Sequence, residues 1–135
     1  MLKMILAVVA GLLAWVLLIT VCGAVMRASW PDYAAVAESM AFTLPMLFAR
    51  LSISTVSLLV AAAVTALLAA GTMTSTVVLG SVLLIGFIPI HISLWDKFPV
   101  WYHLSFLLSL IPLSVLGGRL ASTRSRAVLR TGTPS

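Results

Sequence analysis

Two histidines, His91 and His103, bracket the densest run of polar and aromatic side chains in the sequence, which includes Trp95, Asp96, Lys97, Phe98, Trp101 and Tyr102. Neutral imidazole ligates divalent metals and changes charge near physiological pH, so two imidazoles with a carboxylate are the minimum for a metal site or a proton relay. His91, Asp96, Lys97, Tyr102 and His103 are therefore the candidate polar cluster. Asp32 or Glu38 could add a carboxylate if their segment folds back onto it. The same residues also suit a simpler role: tryptophan, tyrosine and phenylalanine around an Asp96–Lys97 ion pair make an interfacial belt that fixes the depth of flanking helices. No catalytic residue, cofactor or resident metal is expected from so small a set.

A second candidate is a stripe of small polar residues. Ser54, Ser57, Ala61 and Thr65 fall on one helical face with Arg50, while Ala62, Ala66 and Ala70 form a small-xxx-small series; Ser105 and Ser109 repeat the idea further on. Small residues let membrane helices approach closely, and a serine stripe that stayed wet would instead line a pore. Ser54, Ser57 and Thr65 are thus read as a helix-packing or pore-lining face.

The elements that carry these residues follow from the spacing of charge. Of 135 residues, eight are basic and three acidic, while 62% are hydrophobic; an ordinary soluble domain is about 25% charged. Between Lys3 and Arg27 lie 23 uncharged residues, between Arg50 and Asp96 lie 45, and between Lys97 and Arg119 lie 21. About 20 apolar residues span a bilayer as a helix, so the middle stretch holds two spans. The run Ala70-Gly71-Thr72-Met73-Thr74-Ser75-Thr76 marks the turn between them. The expectation is an all-α membrane protein whose four spans, near 4–26, 52–70, 77–94 and 101–120, pack as a bundle. Runs this long satisfy their backbone only as helices, and a barrel would show short alternating segments.

Outside the spans, Ser29-Trp30-Pro31-Asp32 reads as a helix start with serine as N-cap and proline in the first turn. Tyr33, Val36, Met40, Leu44 and Leu47 then recur at helical spacing, predicting a short amphipathic surface helix over about 30–44 that Pro45 ends. Arg50 is expected to snorkel to headgroups. Residues 121–135 are basic and polar and read as a disordered tail.

Lys3, Arg119, Arg124, Arg126 and Arg130 lie at one end of this arrangement with no acid among them, whereas Asp32, Glu38 and Asp96 share the other end with Arg27, Arg50 and Lys97. The bias of basic residues puts both termini in the cytoplasm. The brevity and short loops suggest a bacterial inner membrane, with anionic lipid at the basic tail and other membrane chains as neighbours. The tail lacks the aromatic platforms and fold that nucleic-acid binding needs, so no nucleic-acid partner is expected. The first apolar run is too long for a cleaved signal, Val25-Met26-Arg27-Ala28 is a poor cleavage site, and Val21 spoils the lipoprotein-like Ile19-Thr20-Val21-Cys22, so an uncleaved anchor is expected.

Several chemistries drop out. A single cysteine, Cys22, rules out the paired-cysteine chemistry of four-helix thiol oxidoreductases and reads as packing. Small multidrug exporters of this size depend on an acid within the first span, and none stands between Lys3 and Arg27. The reading left is a non-enzymatic membrane component or accessory subunit, with a homo-oligomeric channel as the alternative and a metal-dependent enzyme using the two histidines behind both.

Overall fold

The computed structural model describes the backbone of residues 1–131, and the side chains of all of these except 126 and 129–131. It contains α1 (Leu2–Ser29), α2 (Pro31–Val36), α3 (Leu44–Leu68), α4 (Met73–Ser93) and α5 (Val100–Thr131), with no strand among the described residues. Four helices are long and apolar enough to cross a membrane: α1, α3, α4 and the Val100–Ser125 part of α5. Much of their surface is exposed Leu, Ile and Val, including Leu6, Leu13, Leu17, Ile85, Ile92 and Leu108. A soluble monomer does not carry such continuous apolar faces, and hydrocarbon is the solvent they fit. The chain is a small integral membrane protein with an all-α, four-span bundle.

The side-chain contacts give an up-down-up-down order. Trp15 of α1 meets Phe87 of α4 with ring centroids 5.2 Å apart, and His91 of α4 meets His103 of α5 at 4.9 Å. Both termini therefore share one end, called proximal here, and the α1–α3 and α4–α5 connections form the distal end. The core is built from Leu58, Ala61, Ala62, Leu79 and Leu110, joined by Val8 and Trp15. Backbones come close where glycine omits a side chain. A Cβ on Gly117 of α5 would lie 2.6 Å from the Leu59 carbonyl oxygen of α3 and 3.0 Å from the Ala62 Cβ. On Gly80 of α4 it would lie 3.0 Å from the backbone at both Leu110 and Ile111 of α5. Without a hydrophobic effect between helices in lipid, such close van der Waals packing holds the bundle together.

The observed bounds depart from the sequence reading in four places, each with a local cause. The helix expected over about 30–44 is present only as Pro31–Val36. Its N-cap is Trp30 without a side-chain cap bond, and Ser29 belongs instead to the last turn of α1. The Ser39 hydroxyl donates to the Val36 carbonyl at 3.2 Å, and Met40 takes a left-handed φ of 57°, which breaks the helical path. Pro45 lies in the first turn of α3 rather than at the end of α2, where its missing N–H has no intrahelical acceptor to lose. That starts the second span eight residues earlier than expected, at Leu44 instead of 52.

At the α3–α4 turn, Ala70 and Gly71 adopt left-handed φ values of 55° and 77°, and the Gly71 N–H donates to the Ala66 carbonyl at 2.7 Å. This is the Schellman ending of a helix. The Ser75 and Thr76 hydroxyls donate to the carbonyls of Thr72 and Met73, so residues read as turn are the first turn of α4. Finally, α5 runs through Thr131, past the expected end near 120, across residues read as a disordered tail. Adding Ala, Arg and Leu to a helix already nucleated in the bundle needs only propagation, and no Gly or Pro stands between Arg119 and Thr131. Residues 132–135, the end of that expected tail, lie outside the described ones.

Candidate functional site

The structure brings the two histidines together. The last turn of α4 and the first turn of α5, joined by a short loop, place His91 Nδ1 2.7 Å from His103 Nδ1. At that distance one neutral ring donates its Nδ1–H and the other accepts, so the pair shares a single proton. His103 is wholly buried, with the Trp95 indole stacked on it at 4.8 Å and 12° and Phe98 set edge-on at 5.9 Å. His91 stacks on Phe106 at 4.8 Å. Among the described residues the His103 Nε2 is buried without a partner. The bond occupies the Nδ1 atom of each ring and ties α4 to α5.

The other members of the expected cluster go elsewhere. Asp96 and Lys97 are exposed and form no ion pair with each other. Their loop is a sharp turn, with the Lys97 N–H donating to the Leu94 carbonyl at 2.9 Å. Asp32 and Glu38 are exposed, and among the described residues no third His, Cys, Asp or Glu stands with the histidines to hold a metal ion. Tyr102 lies over His91 at 6.4 Å between ring centroids, but its hydroxyl points away to Arg50.

Arg50 is the residue whose role the sequence reading missed. It is half-buried, donates from Nη1 to the Tyr33 hydroxyl at 2.6 Å and from Nε to the Tyr102 hydroxyl at 3.4 Å, and lies 4.7 Å over the Phe42 ring. Tyr33 stacks on Phe42 at 5.0 Å, and Phe42 on Phe98 at 6.1 Å, so one guanidinium ties α2, the α2–α3 connection, α3 and α5 into a distal cap. Leu47, Phe98 and Tyr102 form its apolar floor. An arginine stacked on aromatics and bonded to tyrosines keeps its charge without a carboxylate.

Beneath this cap lies a half-open cavity of about 830 Å³, lined from α1, α2, α3, α4 and α5. Its apolar wall includes Trp15, Ile19, Ile53, Phe87 and Phe106, and its polar lining includes Thr20, Arg27, Tyr33, Arg50, Ser54 and Tyr102. The volume and the mix of apolar wall with a few convergent polar groups match a small-molecule site. Gly23 and Ala24 of α1 hold it open, and a Cβ on Gly23 would meet nothing within 4 Å.

The serine stripe divides between two environments. Ser57 and Thr65 are buried inside the bundle, where the Thr65 hydroxyl donates to the Ala61 carbonyl at 3.0 Å and its side chain packs on Gly11 of α1. Ser54, also buried, lines the cavity. No protein family matches the chain, and neither the comparison with curated proteins nor that with solved structures finds a match.

Proposed function

We propose that this chain is a non-enzymatic component of the bacterial inner membrane, with both ends in the cytoplasm, that holds a small molecule in the outer half of the bilayer. The cavity under the distal cap carries this reading, because its size and lining suit a ligand. Its polar groups come from α1, α2, α3 and α5, so a ligand there would also brace the bundle. The bias of basic residues toward the proximal end supports the orientation, with anionic lipid around the tail and other membrane chains beside it. The packing of Thr65 against Gly11 weighs against the channel reading, in which the stripe would be wet along its length.

A pair of glycine substitutions tests the reading. Gly23 and Gly86 both have open space where a Cβ would stand, but only Gly23 lines the cavity. A neutral, environment-sensitive dye should bind the purified chain in neutral nanodiscs and lose binding in Gly23→Phe while keeping it in Gly86→Phe. Equal binding to all three proteins would remove the cavity from the account.

A further inference from the structure

The lining of the distal cavity carries more than apolar volume. Arg27 and Arg50 both face it, and none of Asp32, Glu38 and Asp96 does. Arg27 is exposed at the last turn of α1 and makes no hydrogen bond within the described residues, so its five N–H donors are open. Arg50 donates to Tyr33 and Tyr102, and each tyrosine hydroxyl, having accepted from a cation, retains its own proton to donate. Two guanidinium groups and two polarised tyrosine hydroxyls thus line the same cavity, with no carboxylate among its lining residues. Deeper in, Trp15, Ile19, Ile53, Phe87 and Phe106 offer an apolar chamber.

We propose that the cavity takes a single-chain amphiphile headed by a phosphate monoester, the phosphate held between Arg27 and Arg50 and the apolar chain lying along Trp15, Phe87 and Phe106. The inference rests on the reading of this cavity as a ligand site and names the class of ligand. A phosphate monoester carries about −1.5 to −2 charges at neutral pH, which two arginines neutralise, and its oxygens accept bidentate bonds from guanidinium. A carboxylate would leave one cation uncompensated. An apolar ligand without a head would leave both cations as they are and gain nothing from the tyrosine protons.

The test is displacement of the neutral dye from the full chain in phosphatidylcholine nanodiscs. The competitors are dodecyl phosphate, laurate, a neutral dodecyl ether and inorganic phosphate. Dodecyl phosphate should displace the dye at concentrations at least about tenfold below those needed for laurate or the neutral ether, a tenfold step being worth one charge-assisted hydrogen bond. Inorganic phosphate should fail, since it lacks the chain. Arg27→Gln, a change at an exposed side chain, should reduce the preference for dodecyl phosphate over laurate, read as the ratio of their displacing concentrations in the same variant, to less than about threefold, and an unchanged ratio would overturn the phosphate assignment. Displacement of the dye by laurate or the neutral ether at the same concentrations as dodecyl phosphate would overturn the phosphate assignment and leave the cavity reading standing. Displacement by inorganic phosphate at the same concentration would overturn the amphiphile. A chain that never binds the dye would remove the ligand site and this inference together.

Discussion

Replacing Gly117 by alanine tests whether the bundle is held by backbone contact between α3 and α5. The added Cβ would stand 2.6 Å from the Leu59 carbonyl oxygen, 3.1 Å from the Leu59 Cα and 3.0 Å from the Ala62 Cβ. Restoring ordinary contact at about 3.4 Å requires α5 to retreat from α3 by roughly 0.8 Å, and two of the three opposing atoms are backbone that no rotamer change can move. Overpacking of this kind costs about 1–3 kcal/mol. Alanine also brings a helix-propensity gain of up to about 1 kcal/mol, which masks part of the loss. Gly86→Ala brings the same gain with nothing within 4 Å of its Cβ, so the difference between the two variants isolates the steric cost. Unfolding in mixed micelles with increasing dodecyl sulfate, followed by tryptophan fluorescence, should show Gly117→Ala about 1–3 kcal/mol less stable than Gly86→Ala. Equal stabilities would refute the claim that α5 is seated on α3 by close backbone approach.

Four further outcomes follow. His103→Leu leaves the His91 Nδ1 without its partner and should destabilise by about 1–3 kcal/mol, whereas the double variant with His91→Leu should cost less than the sum of the singles; additive losses in the same unfolding assay would mean that the rings do not bond. Nitrogen NMR of the wild-type imidazoles at neutral pH should show one protonated and one bare Nδ1, and two protonated Nδ1 atoms would contradict the shared proton. Arg50→Met removes both tyrosine bonds and the stacking on Phe42 and should cost about 2 kcal/mol of stability. In a Cys22→Ala background, Ser54→Cys should react with a water-soluble maleimide from the distal side and Thr65→Cys should not, because only Ser54 lines the cavity. Reaction at both positions would revive a wet stripe.

The four spans were legible because charge is expensive in hydrocarbon: Lys3, Arg27, Arg50, Asp96, Lys97 and Arg119 mark the ends of apolar stretches. The bounds were less legible where a residue has two meanings. Pro45 both ends one helix and starts another, and only the break at Met40 decides which. Arg119 to Thr131 looks like a solvated tail by composition, and only its continuity with α5 makes it helix. Among the candidate residues, the approach of His91 and His103 followed from the short loop between two helices. The exposure of Asp96 and Lys97 did not, since it depends on how that loop turns. By sequence Arg50 looks like an interfacial anchor, because its partners come from three separate segments, Tyr33, Phe42 and Tyr102. The signal that was present is an arginine at one helical turn from Ser54, beginning a polar face with no acid on it. A cavity has no sequence signature at all, being the space that Gly23 and Ala24 leave between aromatic walls.

Native mass determination after gentle extraction from the membrane in which the chain is made tests the ligand site most directly. The wild-type protein and Gly86→Phe should carry the mass of a bound amphiphile that Gly23→Phe lacks. A bare chain mass in all three, or the same adduct on Gly23→Phe, would contradict it.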